Sequence, residues 1–251
     1  MKLSIIIPVF NEEKTISEIL KRINEIKISG VEKEIIVVND GSSDGTGKAI
    51  SRLRQDFHRR QGYGGQVGGQ ANLKFLKHEK NMGKGAAVRT GIKNATGDYI
   101  IIQDADLEYN PKDIEKLVKP VLEGVSQVVY GTRLKRLPSF SQEERTPQFL
   151  LHYAGNKFLS LLTSILYGEW ITDMETCYKL FSVKAVRNIR LNAKGFEFEP
   201  EITAKLLKTG YKILELPIST TPRGYNQGKK LNTFRDGFIA LWSLLRYRFV
   251  D

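Results

Sequence analysis

Short apolar runs alternate with amphipathic stretches along the first half of the chain. Residues 3–9 include three consecutive isoleucines and residues 34–38 repeat the pattern, which is typical of strands buried on both faces of a parallel sheet. Between them, apolar residues recur in steps of three and four over 12–28, which predicts a helix with one buried face. This strand–helix–strand succession predicts two parallel strands joined by a right-handed crossover.

The alternation continues to about residue 131, and the second half of the chain has a different pattern with longer helices. Further strands are predicted at 73–76, 98–103, 125–131 and 211–218, with a short apolar–polar segment at 174–181. Further helices are predicted from about residue 46 and over 81–96, 111–122, 147–167, 198–210 and 234–250. The fold class is therefore α/β, with a doubly wound and mostly parallel sheet whose ligands bind at the carboxyl ends of the strands.

One stretch departs from this pattern. Residues 59–72, RRQGYGGQVGGQAN, contain five glycines and few apolar residues, so we predict a flexible surface insertion. The domain prediction is one α/β domain over 1–231 that carries this insertion, followed by an amphipathic helix over 232–251.

Charge and composition narrow the partners. The 251 residues carry 39 Lys and Arg against 28 Asp and Glu, a net charge of +11, which indicates nucleic acid, anionic lipid or a phosphorylated substrate as partner. The single cysteine, Cys177, excludes an internal disulfide and favours a reducing compartment. No targeting segment or run of ~20 apolar residues is present, so we expect a cytoplasmic protein that does not cross a membrane.

The strongest chemical signal closes the strand at 98–103. Asp104 and Asp106 alternate at its end, where both carboxylates can face one ligand, and Glu108 can add a third oxygen donor. Mg²⁺ or Mn²⁺ takes such ligands and keeps positions open for substrate phosphates. The competing interpretation is a solvated acidic turn.

Two other loops hold weaker signals. Asp40, at the end of the strand at 34–38, can accept hydrogen bonds from a base or ribose, whereas Asp44 is better placed to cap the next helix. In Asn81–Gly85 the glycines permit close backbone approach, and Lys84 offers a charge for phosphate.

Basic side chains are the expected phosphate ligands. Arg133, Arg145 and Arg223 each follow or flank a predicted element, and arginine forks match phosphate oxygens. The three histidines, His58, His78 and His152, all lie outside the motifs.

The final helix has a marked apolar face. Its members are Phe234, Phe238, Leu241, Trp242, Leu245 and Phe249, flanked by Arg235, Arg246 and Arg248. This pattern suits a helix lying in a membrane interface, although a core or dimer helix has the same pattern. Residues 147–167 are open to the same two interpretations.

Ordered motifs along almost the whole chain resemble the family 2 glycosyltransferases. The motifs are IIIPVFNEE, VVNDGSSDGT, NMGKGAAVRTG, QDADLEYNP, YGTR, TDMETCYKLF, FEFEPEITAKL and the segment from Arg223 to Leu231. The likeness is greatest to dolichyl- or polyprenyl-phosphate mannose synthases of the kind without C-terminal transmembrane helices. It implies an A-type glycosyltransferase fold with C-terminal amphipathic interface helices, resting on the cytoplasmic face of a membrane.

The resemblance also implies roles by position. It assigns the nucleotide-sugar to Pro8, Phe10, Glu12, Val38, Asp40, Lys84, Asp104, Ala105 and Asp106, and the metal, Mg²⁺ or Mn²⁺, to Asp106 and Glu108. It assigns the acceptor phosphate to Arg133, Arg145, Arg223 and Lys229, and catalysis to Asp106, Arg133 and Arg223. The mannose synthases carry Gln where Glu108 stands.

The expected reaction moves a hexose, mannose or glucose, from GDP-mannose or UDP-glucose to a polyprenyl or dolichyl phosphate with inversion. A phosphomonoester is largely ionised at neutral pH, so no strong base is needed. Transfer to a sugar hydroxyl is the enzymatic alternative, with Asp173 or Glu175 as base. A nucleic-acid-binding protein fits the charge but no recognition motif is present, and a homodimer or a membrane-protein partner stays open.

Overall fold

A computed structural model describes residues 1–62, 72–133, 146–221 and 233–250 of the chain. Its strands are β1 Lys2–Val9, β2 Glu32–Asn39, β3 Asn72–Lys77, β4 Tyr99–Ile102, β5 Val128–Thr132, β6 Lys179–Ser182 and β7 Leu214–Pro217. Its helices are α1 Ile16–Glu25, α2 Thr46–Gly62, α3 Lys84–Asn94, α4 Asp113–Leu122, α5 Pro147–Tyr167, α6 Val183–Val186, α7 Phe198–Lys208 and α8 Thr233–Phe249.

The described strands form one mostly parallel sheet, in the order β3-β2-β1-β4-β6-β5-β7. β1 pairs in parallel with β2 on one side and β4 on the other, so that Ile5 lies opposite both Ile35 and Ile101. β6 runs antiparallel to both of its neighbours, β4 and β5. The α/β class and the mostly parallel sheet predicted from sequence are confirmed.

Burial on both faces explains the continuous apolar runs of the central strands. Ile5, Ile6 and Ile7 of β1 are all fully buried, because alternate side chains point to opposite faces and both faces are covered. On one of these faces, α3 packs across β1 and β2. Gly91 of α3 allows this close approach, since a Cβ there would lie 2.4 Å from Ile6.

Several element boundaries differ from the sequence pattern for local reasons. α1 begins at Ile16, later than predicted, because Asn11 has a φ of 51° and Glu12–Thr15 form a turn ahead of the helix. α2 continues to Gly62, so the first four residues of the predicted insertion are helical, whereas 63–71 lie outside the described residues. The one-turn helix α6 was not predicted, because a four-residue segment carries too little periodicity.

The last helix belongs to the same packed body as the sheet. α8 packs on α7 and α5, and the Tyr167 hydroxyl at the end of α5 donates to the carbonyl of Leu244 at 2.8 Å. Its buried side is formed by Ala240, Leu244 and Tyr247. No helix in the described part of the chain is long and apolar enough to span a membrane.

Candidate active site

A cavity of about 590 Å³ opens at the carboxyl ends of β1, β2, β4 and β5, where a doubly wound sheet binds ligands. Side chains from α5, α7 and α8 and from the loop before β6 complete its wall. The predicted site residues that line it are Pro8, Phe10, Glu12, Asp40, Lys84, Asp104, Ala105, Asp106, Glu108 and Arg133. Asp40 and Asp106, from two separate motifs, therefore share one cavity.

Asp40 organises the loop that follows β3. Its carboxylate accepts hydrogen bonds from the backbone amides of Met82 at 2.9 Å and Gly83 at 2.7 Å. The ring nitrogen Nδ1 of His78 lies 2.6 Å from the same carboxylate, and the other ring nitrogen contacts the Thr90 hydroxyl. The structure thus gives Asp40 a positioning role, and the nucleotide contact predicted from sequence stays a prediction.

The glycines of Asn81–Gly85 serve close packing of two loops. Gly83 has a φ of 96°, and a Cβ there would lie 2.3 Å from the Lys194 carbonyl oxygen. The amides of Gly85 and Ala86, at the start of α3, donate to the carbonyls of Gly195 and Lys194. These two amides of the helix start are therefore bonded within the protein, and the close backbone approach that the glycines permit is used here by residues 194–195.

Lys84 is held between two carboxylates. Its ammonium lies 3.0 Å from Asp104 and 2.9 Å from Glu199. Burial alone would lower the pKa of Lys84, but these neighbouring carboxylates outweigh burial and hold its pKa well above the usual value. Lys84 lines the cavity as predicted, but its charge is already matched by protein groups.

The acidic loop after β4 has a distinctive backbone. Leu107, between the two proposed metal ligands, has a φ of 64°, which is uncommon for a residue other than glycine. The Asp106 carboxylate accepts the backbone N–H of Glu108 at 3.0 Å, so the turn is fixed internally. Such strained conformations cluster at functional sites, where the surrounding structure holds them.

The chain after β7 is attached to this acidic loop. The Thr221 amide donates to the Glu108 carbonyl at 2.8 Å, and Tyr109 pairs with Thr220. This attachment places Thr221 beside Glu108. Arg223 and Lys229, like Arg145, lie outside the described residues.

Arg133 forms a two-point ion pair with Asp173. Its Nε and Nη2 atoms each lie 2.8 Å from a carboxylate oxygen, and its backbone amide donates to the same group. Asp173 is fully buried and also accepts a hydrogen bond from Asn156. Burial alone would raise the pKa of Asp173, but the Arg133 guanidinium outweighs burial and lowers it. Part of the arginine fork predicted for phosphate is therefore used within the protein.

The loop that carries Asp173 is held by side chains from two strands, β7 and β6. Glu215 of β7 accepts from the amides of Thr172 and Asp173, and Lys179 of β6 donates to the Met174 carbonyl. Glu175 follows in the same loop and lines the cavity. Burial raises the pKa of Glu175 from its usual 4.5 to about 7, so a carboxyl group able to exchange a proton near neutral pH faces the cavity.

Not every predicted ligand reaches the cavity. Val38 on β2 is fully buried and packs with Ile36 and Ala87 in a small cluster, so its side chain is part of the core and not of the cavity wall. Glu12 lines the cavity and accepts the Thr15 hydroxyl at 2.7 Å. Pro8, within β1, and Phe10, just after this strand, also line the cavity.

Several cavity residues were not among the predicted ligands. They are His152, Cys177, Phe196, Glu197, Glu199, Arg235 and Asp236. Two of the ordered motifs gave a sequence signal, since FEFEPEITAKL contains Phe196, Glu197 and Glu199 and TDMETCYKLF contains Cys177. The helix faces that bring His152, Arg235 and Asp236 to the site depend on how α5 and α8 pack.

A mostly parallel sheet that ends in Asp-Ala-Asp at a cavity defines an A-type glycosyltransferase fold. The chain belongs to glycosyl transferase family 2, whose family model matches residues 4–190. A Methanococcus voltae relative, named UDP-N-acetylglucosamine–dolichyl-phosphate N-acetylglucosaminyltransferase, is 30% identical over 96% of this chain and 94% of its own length. An uncharacterised Methanocaldococcus jannaschii protein is 31% identical over 96% of this chain and 90% of its own.

Solved structures agree on the fold. Glucosyl-3-phosphoglycerate synthase from Mycobacterium tuberculosis bound to UDP superposes with a TM-score of 0.71 at 16% identity, covering 100% of this chain and 81% of that one. The same enzyme with Mn²⁺, UDP and phosphoglyceric acid gives a TM-score of 0.67 at 18% identity, covering 100% and 79%. The A-type fold and glycosyltransferase class predicted from sequence are confirmed.

Proposed function

We propose that this glycosyltransferase moves a sugar from a nucleoside-diphosphate sugar to a polyprenyl or dolichyl phosphate. The observation that carries the proposal is one cavity shared by the Asp104–Asp106 carboxylates, suited to a diphosphate with its cation, and by Arg133. The name of the Methanococcus voltae relative, which matches over nearly the whole chain, supports a dolichyl phosphate acceptor.

Two observations bear on the identity of the donor sugar. The sequence resemblance favours mannose or glucose, whereas the name of the Methanococcus voltae relative gives UDP-N-acetylglucosamine. The solved enzyme of the same fold has been crystallised with UDP-glucose. We therefore place a uridine diphosphate sugar ahead of GDP-mannose.

A divalent cation, Mg²⁺ or Mn²⁺, is part of the proposal. No group of three or more His, Cys, Asp or Glu side chains in the described ranges forms a ready metal cage. The donors present fit nonetheless, because Mg²⁺ is commonly held by one or two carboxylates together with substrate phosphates, and Asp106 and Glu108 supply such oxygens. When bound, the cation offsets the negative charge of the departing diphosphate.

The protein residues have mainly positioning tasks in this reaction. An oxygen of the acceptor phosphate forms a bond to the anomeric carbon while the bond from that carbon to the diphosphate breaks, which inverts the configuration. The acceptor phosphate is largely ionised at neutral pH, so no proton has to be removed by the protein. Arg133, oriented by Asp173, contributes positive charge where the two phosphates meet.

The helices that close the cavity also expose an apolar surface, which supports binding to a membrane. Phe234, Phe238, Trp242 and Phe249 of α8 are all more than half exposed, and the adjacent α5 exposes Phe158, Leu161 and Ile165. Arg246 and Arg248 accompany the aromatic stripe. An aromatic stripe with basic neighbours is the pattern of a helix lying in the membrane interface, which would bring the lipid acceptor beside the cavity.

The double variant Phe238→Ser with Trp242→Ser tests this surface. We expect its partition onto vesicles of phosphatidylglycerol and phosphatidylcholine to fall by ~10-fold or more, because two exposed aromatic side chains that would insert into the lipid are lost. Vesicle flotation measures the effect. The matched control is Leu122→Ser with Val125→Ser, which removes two exposed apolar side chains at the end of α4 and just beyond it. Equal flotation of the wild type, the α8 variant and the control would contradict a membrane contact through α8. Loss of a dimer in the α8 variant would indicate that this surface is a protein interface.

A second candidate is transfer to a sugar hydroxyl, and Glu175 is the observation that favours it. A hydroxyl acceptor needs a base, and Glu175 faces the cavity with a pKa raised to about 7. Asp173, the other predicted base, is fully buried in its ion pair with Arg133 and is not placed for that task.

Turnover with two kinds of acceptor separates the candidates. The purified chain is incubated with Mn²⁺ and each of UDP-N-acetylglucosamine, UDP-glucose and GDP-mannose, with either a short polyprenyl phosphate or oligosaccharides as acceptor. We expect release of nucleoside diphosphate and a glycosylated lipid phosphate only with the polyprenyl phosphate. Product on oligosaccharides, lost in Glu175→Gln, would replace the first proposal by the second.

A further inference from the structure

One buried carboxylate in the cavity wall is only half used by the protein. Glu199, in the first turn of α7, is 5% exposed and lines the cavity. One of its oxygens, Oε1, lies 2.9 Å from the Lys84 ammonium. The other, Oε2, has no hydrogen-bond partner among the described residues. Buried polar atoms in proteins nearly always have a hydrogen-bond partner, so we expect this oxygen to accept a hydrogen bond from a ligand.

The neighbouring glutamates show what a purely structural role looks like here. Glu197 accepts the amides of Lys194 and Gly195 and so closes the loop before α7. Glu201 accepts the amides of Asn192 and Ala193 and pairs with Lys205. Backbone amides thus bond the carboxylates of both residues, whereas Glu199 bonds no backbone amide through its side chain in the described part of the chain.

The surroundings of Glu199 suit a neutral, hydroxyl-bearing group. Lys84 pairs with both Asp104 and Glu199, so two carboxylates and one ammonium leave a net negative charge. Phosphate would be repelled there, whereas a hydroxyl group can donate to a carboxylate. Phe196 also lines this part of the cavity, close to Lys84, and offers an apolar ring face.

We infer that Glu199 accepts a hydrogen bond from a hydroxyl group of the donor hexose and thereby contributes to the choice of sugar. The inference rests on the proposed function, since it requires a nucleotide-sugar in the cavity. The last torsion of a glutamate side chain is broad, so a small rotation of the carboxylate brings Oε2 to the ligand while Oε1 stays near Lys84.

A cycle that combines protein variants with donor analogues tests the contact. The donor is whichever of UDP-N-acetylglucosamine, UDP-glucose and GDP-mannose the wild-type protein turns over fastest. Its analogues each lack one hydroxyl of the hexose. We expect Glu199→Gln and Glu199→Ala to lower kcat/KM for the intact donor by roughly 10- to 100-fold, the usual effect of losing a hydrogen bond to a charged group. For the analogue that lacks the hydroxyl bonded by Glu199, kcat/KM of the variants and of the wild type should differ by less than about 3-fold.

Binding of the free nucleoside diphosphate supplies the structural control. It lacks the hexose, so its Kd should not rise in either Glu199 variant. Glu25→Gln, a change at an exposed glutamate on α1, should match the wild type throughout. Equal losses on every analogue, or weaker nucleoside diphosphate binding, would assign Glu199 to charge balance with Lys84 and overturn the inference. If no nucleotide-sugar is bound or turned over by the wild type, the proposed function itself fails.

Discussion

Replacing Asp106 by Ala is expected to reduce glycosyl transfer by roughly 10³-fold or more, the largest effect of any change proposed for this chain. Asp106 follows β4 and lines the cavity, and its carboxylate accepts the backbone N–H of Glu108, which fixes the local turn. Loss of its carboxylate removes one of the two oxygen donors proposed for the cation that accompanies the diphosphate. Initial rates with saturating Mn²⁺ and polyprenyl phosphate measure the effect.

Two comparisons make this result specific. Asp56→Ala, which removes an exposed carboxylate on α2, should keep the wild-type rate. Wild-type protein treated with EDTA should lose activity and regain it when Mn²⁺ is added. Full turnover in EDTA would contradict a cation-assisted reaction, whatever the behaviour of the Asp106 variant.

The order of the elements was predictable because each central strand has a strong local signal. The isoleucines of β1 and the valines of β2 are buried on both sides, and such continuous runs predict parallel strands. The antiparallel direction of β6 was not predictable in the same way. All four of its residues are buried, so their hydrophobic pattern does not distinguish a parallel from an antiparallel strand. The connections to the neighbouring elements set the direction.

The candidate site was predictable where a single loop holds the residues. Asp104, Asp106 and Glu108 follow one strand, so their common location needed no knowledge of distant parts of the chain. Glu199 could not be assigned in this way, because its contact with Lys84 joins residues far apart in sequence. The Arg133–Asp173 pair is similar, since its arginine and carboxylate follow β5 and precede β6.

That pair gives the second large prediction, which concerns stability. Asp173→Asn should lower the free energy of unfolding by about 3–5 kcal/mol, because it leaves the Arg133 guanidinium without its buried counter-charge. The Arg133→Met and Asp173→Asn double variant should recover part of this loss, since neither charge then remains. Urea denaturation at pH 7 measures both values. An unfolding free energy within about 0.5 kcal/mol of wild type for Asp173→Asn would contradict the structural role of the pair.

The pH dependence separates Asp173 from its neighbour Glu175. The pKa of Asp173 is lowered from 3.8, so its ionised form stabilises the fold above that pH, and the difference between wild type and Asp173→Asn should shrink as the pH falls below about 4. The pKa of Glu175 is raised to about 7, so the stability that its protonated form contributes is complete below 4.5 and lost as the pH rises through 7. Glu175→Gln should therefore be at least as stable as wild type at pH 8. Two acids in one loop would then have opposite effects on stability, with Asp173 fixing Arg133 and Glu175 facing the cavity.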